Sequence, residues 1–143
     1  MNVWILQDEP GVNMIDKLEE SDITKPWWWN VDRYVKSSTI LHIEVGDKVL
    51  VWQPYLDDAH PSGIYAVGIV EKLYYYSPEA MKRYRIDFQI KKVLNEPITR
   101  EKIKENPLLR EMQIIRMPGG HIVFRVEPFE WEELKRISQE SLE

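Results

Sequence analysis

The chain contains no cysteine. That excludes a disulfide scaffold, a thiol nucleophile and a cysteine-ligated metal. Long apolar runs are also missing, so no stretch reads as a bilayer-spanning helix. Histidine is scarce: His42, His60 and His121 are scattered along the chain. No G-x-S-x-G element, P-loop or dinucleotide fingerprint occurs. The glycine-rich "MPGGH" (117–121) has no strand-to-helix context and reads as a hairpin turn. In "DDAH" (57–60), two carboxylates stand near an imidazole, a pattern open to metal binding. Before Pro-Ser-Gly it is more often a solvated turn. No Asp or Glu is singled out for acid–base work. These absences leave the signals for an enzyme, a metal or a cofactor weak. The opening "MNVWILQDEP" lacks the basic and apolar regions of a secretory leader, which sets the expectation of a cytoplasmic protein off the membrane.

What is present suffices for one domain, 1–143. Hydrophobic residues make up 43% and charged residues 30% of the 143, enough apolar surface for a real core. Net charge is -5 and the pI about 5.3, which argues against wrapping a long phosphate backbone. The charge is uneven, however. "MKRYRIDFQIKK" (81–92) is basic, while both ends of the chain are acidic. A local anion patch is compatible with that distribution; so is a solvated strand edge guarded by lysines.

"NVWILQ" (2–7) is a buried strand by its apolar run. "GVNMIDKLEESD" (11–22) predicts a short helix capped by Asn13. Pro26 makes "ITKPWWWNVDRY" (23–34) extended or irregular. "VKSSTILHI" (35–43) has room for a helical turn, and Gly46-Asp47 turns the chain into the strand "KVLVWQ" (48–53). A loop at 56–63 leads to one long strand, 63–76, in which Gly68 marks a bulge or close backbone approach. "YRIDFQIKKVL" (84–94) alternates, with Tyr84, Ile86, Phe88 and Ile90 on one face. A helix begins near Thr99 and ends near Pro107. "MQIIRMPGGHIVFRV" (112–126) reads as strand, turn, strand. A closing helix starts at Pro128, with Trp131, Leu134 and Ile137 in one stripe. The mixture predicts an α+β fold, a small closed or half-closed β-barrel with flanking helices.

The tryptophans carry the strongest functional signal. In an extended "WWWN", Trp27 and Trp29 point one way and Trp28 the other. All three therefore cannot enter one core. Trp52 closes a strand just before a loop, where binding residues tend to sit. A pair of aromatic walls can sandwich a flat base, or hold a methyl group or a cation. Trp4 and Trp131 read as core.

Taken in order, the motifs resemble those of the EVE domain family. "VWILQDEP" is similar to the family's first strand and its Lys-Ser-Glu-Pro element, here Gln7-Asp8-Glu9-Pro10. "WWNVDRY" resembles Trp-Asp-Gly-Val-Arg-Asn-Tyr, with Trp28, Val31 and Tyr34 in matching positions. "VGDKVLVWQP" and "GIYAVGIV" are similar to the two strands that follow, and "NPLLREMQIIR" with "VEPFEW" to the closing segment. The resemblance implies a PUA-like mixed β-barrel with flanking helices, related to YTH and ASCH domains. It implies a module that binds DNA or RNA by taking a modified base into an aromatic pocket. Trp28 and Trp52 would be its walls. Gln7, Asp8, Asn30 and Gln53 would meet the base edge, and an acidic Asp8 favours bases that present donors. Lys82, Arg83, Arg85, Lys91 and Arg116 are the candidate phosphate contacts; Arg116 could equally pair with a carboxylate of the last helix. This chain departs from the pattern at several places. Gln7 and Asp8 replace Lys and Ser, Asn30 replaces Gly, Asp32-Arg33 replaces Arg-Asn, and 35–38 replaces Gln-Ala-Arg-Asn. These changes remove cationic groups from the rim. Two other readings stand beside this one. One is a pocket for a free nucleoside or other small molecule, with an ASCH-like enzyme as its catalytic form. The other is a protein-interaction module or homodimer using Trp27 and Trp29 as a lip.

Overall fold

The computed structural model describes residues 1–7, 18, 26–30, 42–76, 83–116 and 123–143, with backbone alone at 26–30, 74–76, 83 and 84. Among the described residues six strands form one mixed sheet. They are β1 (Val3–Gln7), β2 (Pro26–Asn30), β3 (Lys48–Gln53), β4 (Gly63–Tyr76), β5 (Arg83–Thr99) and β6 (Val123–Val126). Three helices have bounds among the described residues: α1 (Arg100–Glu105), α2 (Gln113–Arg116) and α3 (Pro128–Ile137). The strand order is β2-β5-β4-β3-β1-β6. Only the β1–β3 pair, among the described strands, is parallel. The fold is thus α+β. In that order β2 and β6 stand at the two edges, so the described strands form an open sheet.

Alternation divides the core into two layers. Trp4 and Leu6 of β1, Val49 and Val51 of β3, and Ile86, Phe88 and Ile90 of β5 fill one face, joined by Leu18 and Ile43. Val3 and Ile5, then Leu50 and Trp52, fill the other, where Ile103, Leu109, Ile114, Trp131 and Leu134 cover them. Each fully buried large side chain contributes roughly 1.5–3 kcal/mol. Trp4 and Trp131 are core, as expected.

The β4–β5 register shifts at three places, two of which decide local packing. At Gly68 the β4–β5 register shifts, and a Cβ there would lie 2.5 Å from the Gln89 carbonyl oxygen. Only glycine permits that approach. Further along, Ile64 pairs with Ile98 and Ala66 with Val93, so Leu94–Pro97 loop out opposite Tyr65. Strand β5 therefore runs beyond the expected 94 to Thr99. Pro97, which cannot donate, falls inside the bulge. The bulge also switches faces, sending Leu94 and Ile98 to the helix side.

The first helix is capped as its sequence predicts, with Lys102 N donating to Thr99 Oγ1 (3.2 Å). Helix α3 starts at Pro128, and Glu127 N donates to Glu130 Oε1 (2.8 Å). The two helices are tied by Asn106 Nδ2 donating to Glu133 Oε1 (2.9 Å). The Arg136 guanidinium, with Asn106, holds the Glu133 carboxyl down to about 2. One expectation is corrected: Gln113–Arg116 is a helical turn, not a strand. Ile115 N and Arg116 N both donate back to the Met112 carbonyl, and Ile114 is buried beneath the turn. A short apolar run does not distinguish the two by periodicity. The helix at 11–22, apart from helical Leu18, the turn at 35–41 and the turn at 117–121 fall outside the described residues.

The entry to β3 is fixed by Asp47, which is 2% exposed. Its carboxylate accepts from Asn2 N (3.0 Å), Trp4 Nε1 (2.9 Å) and Glu44 N (2.9 Å). Gly46, at φ +94°, makes the turn that aims it. Asp47→Ala leaves three donors without this acceptor and is expected to lower stability by roughly 3–5 kcal/mol, with Asp47→Asn intermediate. Urea unfolding followed by tryptophan fluorescence checks this.

Candidate functional site

Strand register decides which of the sequence-predicted residues meet. Gln7 pairs with Trp52 across β1 and β3, and Gln53 pairs with Gly63 of β4. These three lie at one end of the sheet. Asp8, the next residue after Gln7, lies outside the described residues, as does Lys82. Gln53 is buried, and its Nε2 donates to the Pro54 carbonyl (2.8 Å). Trp52 is 3% exposed and belongs to the helix-side core.

Trp28 and Asn30 stand elsewhere. On edge strand β2, Trp28 is opposite Asp87 and Asn30 opposite Arg85. Trp27 and Trp29 occupy the positions opposite Phe88 and Ile86, both buried in the first core layer. Along β4, Asp87 is level with Lys72, whereas Trp52 is level with Ile64. That is roughly 26 Å of strand contour. Register alone therefore does not bring Trp28 and Trp52 together as two walls.

The predicted cations divide similarly. Arg85 is held in a fork by Asp87, Nε to Oδ1 at 2.6 Å and Nη2 to Oδ2 at 3.2 Å. The Asp87 side chain is only 13% exposed, so this fork belongs to the structure. Lys91 is exposed, with Nζ donating to Gln89 Oε1 (3.0 Å). Arg83 is described by its backbone on β5. Arg116 lines a cleft of about 590 Å³ between α2, β6, the start of α3 and His42. Its Nε donates to the Glu111 carbonyl (2.8 Å).

Within this cleft lie residues that the sequence did not single out. Arg125 of β6 joins Arg116, and Phe129 stands on the rim, 57% exposed. The backbone N of Arg125 donates to Gln113 Oε1 (3.1 Å), which fixes α2 against the sheet edge. Arg125 was legible in part, since alternation in "VFRV" sets it apart from its apolar neighbours. The turn at Asp57–His60 is closed internally: Asp57 Oδ1 accepts from His60 N (2.8 Å) and lies 2.9 Å from Nδ1. Among the described residues no cluster of three His, Asp or Glu fits a metal ion. None of the described helices is long and apolar enough to cross a membrane.

Residues 2–137 match the EVE domain family. The chain belongs to that family. EVE domains have a PUA-like fold and often bind nucleic acids. Solved structures with the same fold include a hypothetical protein of Leishmania major, 21% identical with a TM-score of 0.76. That likeness covers 96% of this chain and 94% of the other. A Rhodopseudomonas palustris protein is 17% identical, with a TM-score of 0.71 and coverage of 96% and 93%. A Pseudomonas syringae protein is 13% identical, with a TM-score of 0.70 and coverage of 94% and 98%. No curated protein matches the chain.

Burial raises the carboxyl of Glu130, at the base of the cleft, above its ordinary value. An acid whose folded value is raised stabilises the fold while protonated and loses that contribution as pH rises through the folded value. Glu130→Gln keeps an acceptor for the Glu127 N–H without the charge. The EVE domain carrying this substitution is expected to gain in melting temperature over the parent at pH 7. The gain should vanish at pH 4, as measured by calorimetry at both pH values.

Proposed function

We propose that this EVE domain is a cytoplasmic, non-catalytic module that recognises a modified base in DNA or RNA through an aromatic pocket. The observation that carries the reading is strand β2, which places three consecutive tryptophans on a sheet edge, in a family whose members often bind nucleic acids. Trp28 is the proposed wall. Gln7, Asp8, Asn30 and Gln53 are the proposed polar contacts to the base edge, and Trp52, beside Gln7, the second proposed wall. A PUA-like barrel, with β2 curling toward the β1 side, is the closure that would assemble them.

Extruding a base costs a few kcal/mol, least for one that is modified or already single-stranded. Stacking on one aromatic ring returns about 1–3 kcal/mol. Polar contacts to the base edge supply the rest and the selectivity. The net charge of -5 favours a short contact over a long one. The same charge supports a second reading, a free nucleoside as ligand, which would bind almost independently of salt.

Titration of tryptophan fluorescence with plain and base-methylated DNA and RNA oligomers at two salt concentrations tests both. The expected result is saturable quenching that prefers one modified oligomer and weakens with salt. Trp28→Ala should weaken binding roughly 5- to 150-fold. Equal affinity of parent and variant for every oligomer would remove Trp28 from the site. Binding that ignores salt would favour the nucleoside.

A further inference from the structure

In the strand order the cleft beside β6 stands at the edge opposite β2, and its residues have a composition of their own. Two arginines enter it from different elements, Arg116 at the end of α2 and Arg125 from the middle of β6. Arg116 is aimed by its Nε bond to the Glu111 carbonyl, and its terminal nitrogens take no hydrogen-bond partner among the described residues. Among the described residues Arg125 makes a loose ion pair, Nε to Glu127 Oε1 at 3.7 Å, with both side chains about half exposed. A pair that long and wet holds the guanidinium weakly. A phosphate dianion is the stronger partner, because it carries more charge than a carboxylate and offers three oxygens to the two guanidinium forks.

The cleft is too large for a bare anion. At about 590 Å³ it falls in the range of sites that hold drug-sized ligands. Its rim is aromatic, with Phe129 more than half exposed and the imidazole of His42 also lining it. An exposed phenyl ring beside two guanidinium groups suits a ligand with a flat apolar part and a phosphate. The carboxylates of Glu111 and Glu127 add acceptors for an exocyclic amine.

We propose that the cleft between α2, β6 and the start of α3 is a nucleotide site. It takes an amine-bearing nucleoside phosphate, with the phosphate on Arg116 and Arg125 and the base against Phe129. The ligand is either a free nucleotide or the flanking residue of a bound strand; the chemistry is the same. The assignment does not rest on Trp28.

Calorimetric titration with AMP, adenosine, inorganic phosphate and a 5′-phosphorylated six-residue oligoadenylate tests it. AMP is expected to bind at least tenfold more tightly than adenosine or phosphate alone. Arg116→Gln with Arg125→Gln should weaken AMP at least tenfold while leaving the melting temperature within a degree or two of the parent. Trp28→Ala should leave AMP binding within twofold, so failure of the aromatic-pocket reading and failure of this one are separable. An oligomer that binds at least tenfold more tightly than AMP, and is weakened by the arginine changes, identifies a strand flank. AMP binding as tightly as the oligomer identifies a free nucleotide. The proposal is overturned if neither AMP nor the oligomer binds, if adenosine or phosphate binds as well as AMP, or if the arginine variants bind as the parent does. A large fall in the variants' melting temperature would move the readout to Phe129→Ala, which must weaken AMP at least fivefold for the proposal to stand.

Discussion

Three N–H groups from separate points of the chain converge on the Asp47 carboxylate: the backbone of Asn2, the indole of Trp4 and the backbone of Glu44. Its own carbonyl accepts from Val70 N (2.8 Å), and Gly46 N returns a bond to the Val70 carbonyl (2.9 Å). One buried residue, by side chain and backbone together, thus sets β1, β3 and β4 relative to one another before any of their ladder bonds is counted. The β1–β3 pair is parallel and far apart in sequence, so no tight turn can fix its register. Asp47 supplies that register instead. A one-residue slip would exchange the two core layers and send Trp4 to the helix side.

Both core layers depend on that register, and so do the candidate sites. Gln7 sits at the far end of β1 from Asn2, so its position beside Trp52 follows from the alignment at Asp47. Arg125 stands opposite Trp4 in β6, and its place in the cleft is inherited through the same strand. The bulge at Leu94–Pro97 then bends β5, and the C-terminal segment satisfies it, with Glu96 N donating to Glu140 Oε2 (3.0 Å).

Much of this was legible in the sequence, for identifiable reasons. Strands β3 and β4 match their predicted bounds because apolar runs ended by Gly, Pro and polar clusters leave little choice. Helix α3 announced itself through Pro128 and the Trp131 stripe. Residues 113–116 misled because two isoleucines beside a methionine suit a strand and a helical turn alike. The length of β5 was missed because Pro97 argues against a strand unless a bulge is foreseen. Trp52 looked like a pocket wall from its place before a loop, yet parity along β3 sets it with Leu50 on the helix side. Asp47 read only as a turn residue. Its partners Asn2 and Trp4 lie more than forty positions away, and no local pattern reports such a bond. The cleft arginines share that limitation, since Arg116 and Arg125 meet through packing of α2 on β6 rather than through spacing.

The two ends of the chain come to neighbouring residues. Asn2 donates to Asp47, and the buried carbonyl of Leu142 accepts from Lys48 Nζ (3.1 Å), whose ammonium also lies 5.2 Å from the centre of the Trp131 ring. Met1 and Glu143 line one common hollow. A tether attached at either terminus therefore leaves from the same end of the sheet, a β1 length or roughly 13 Å from Gln7. A label placed there sits beside the Asp47 network and a strand's length from the Gln7 end.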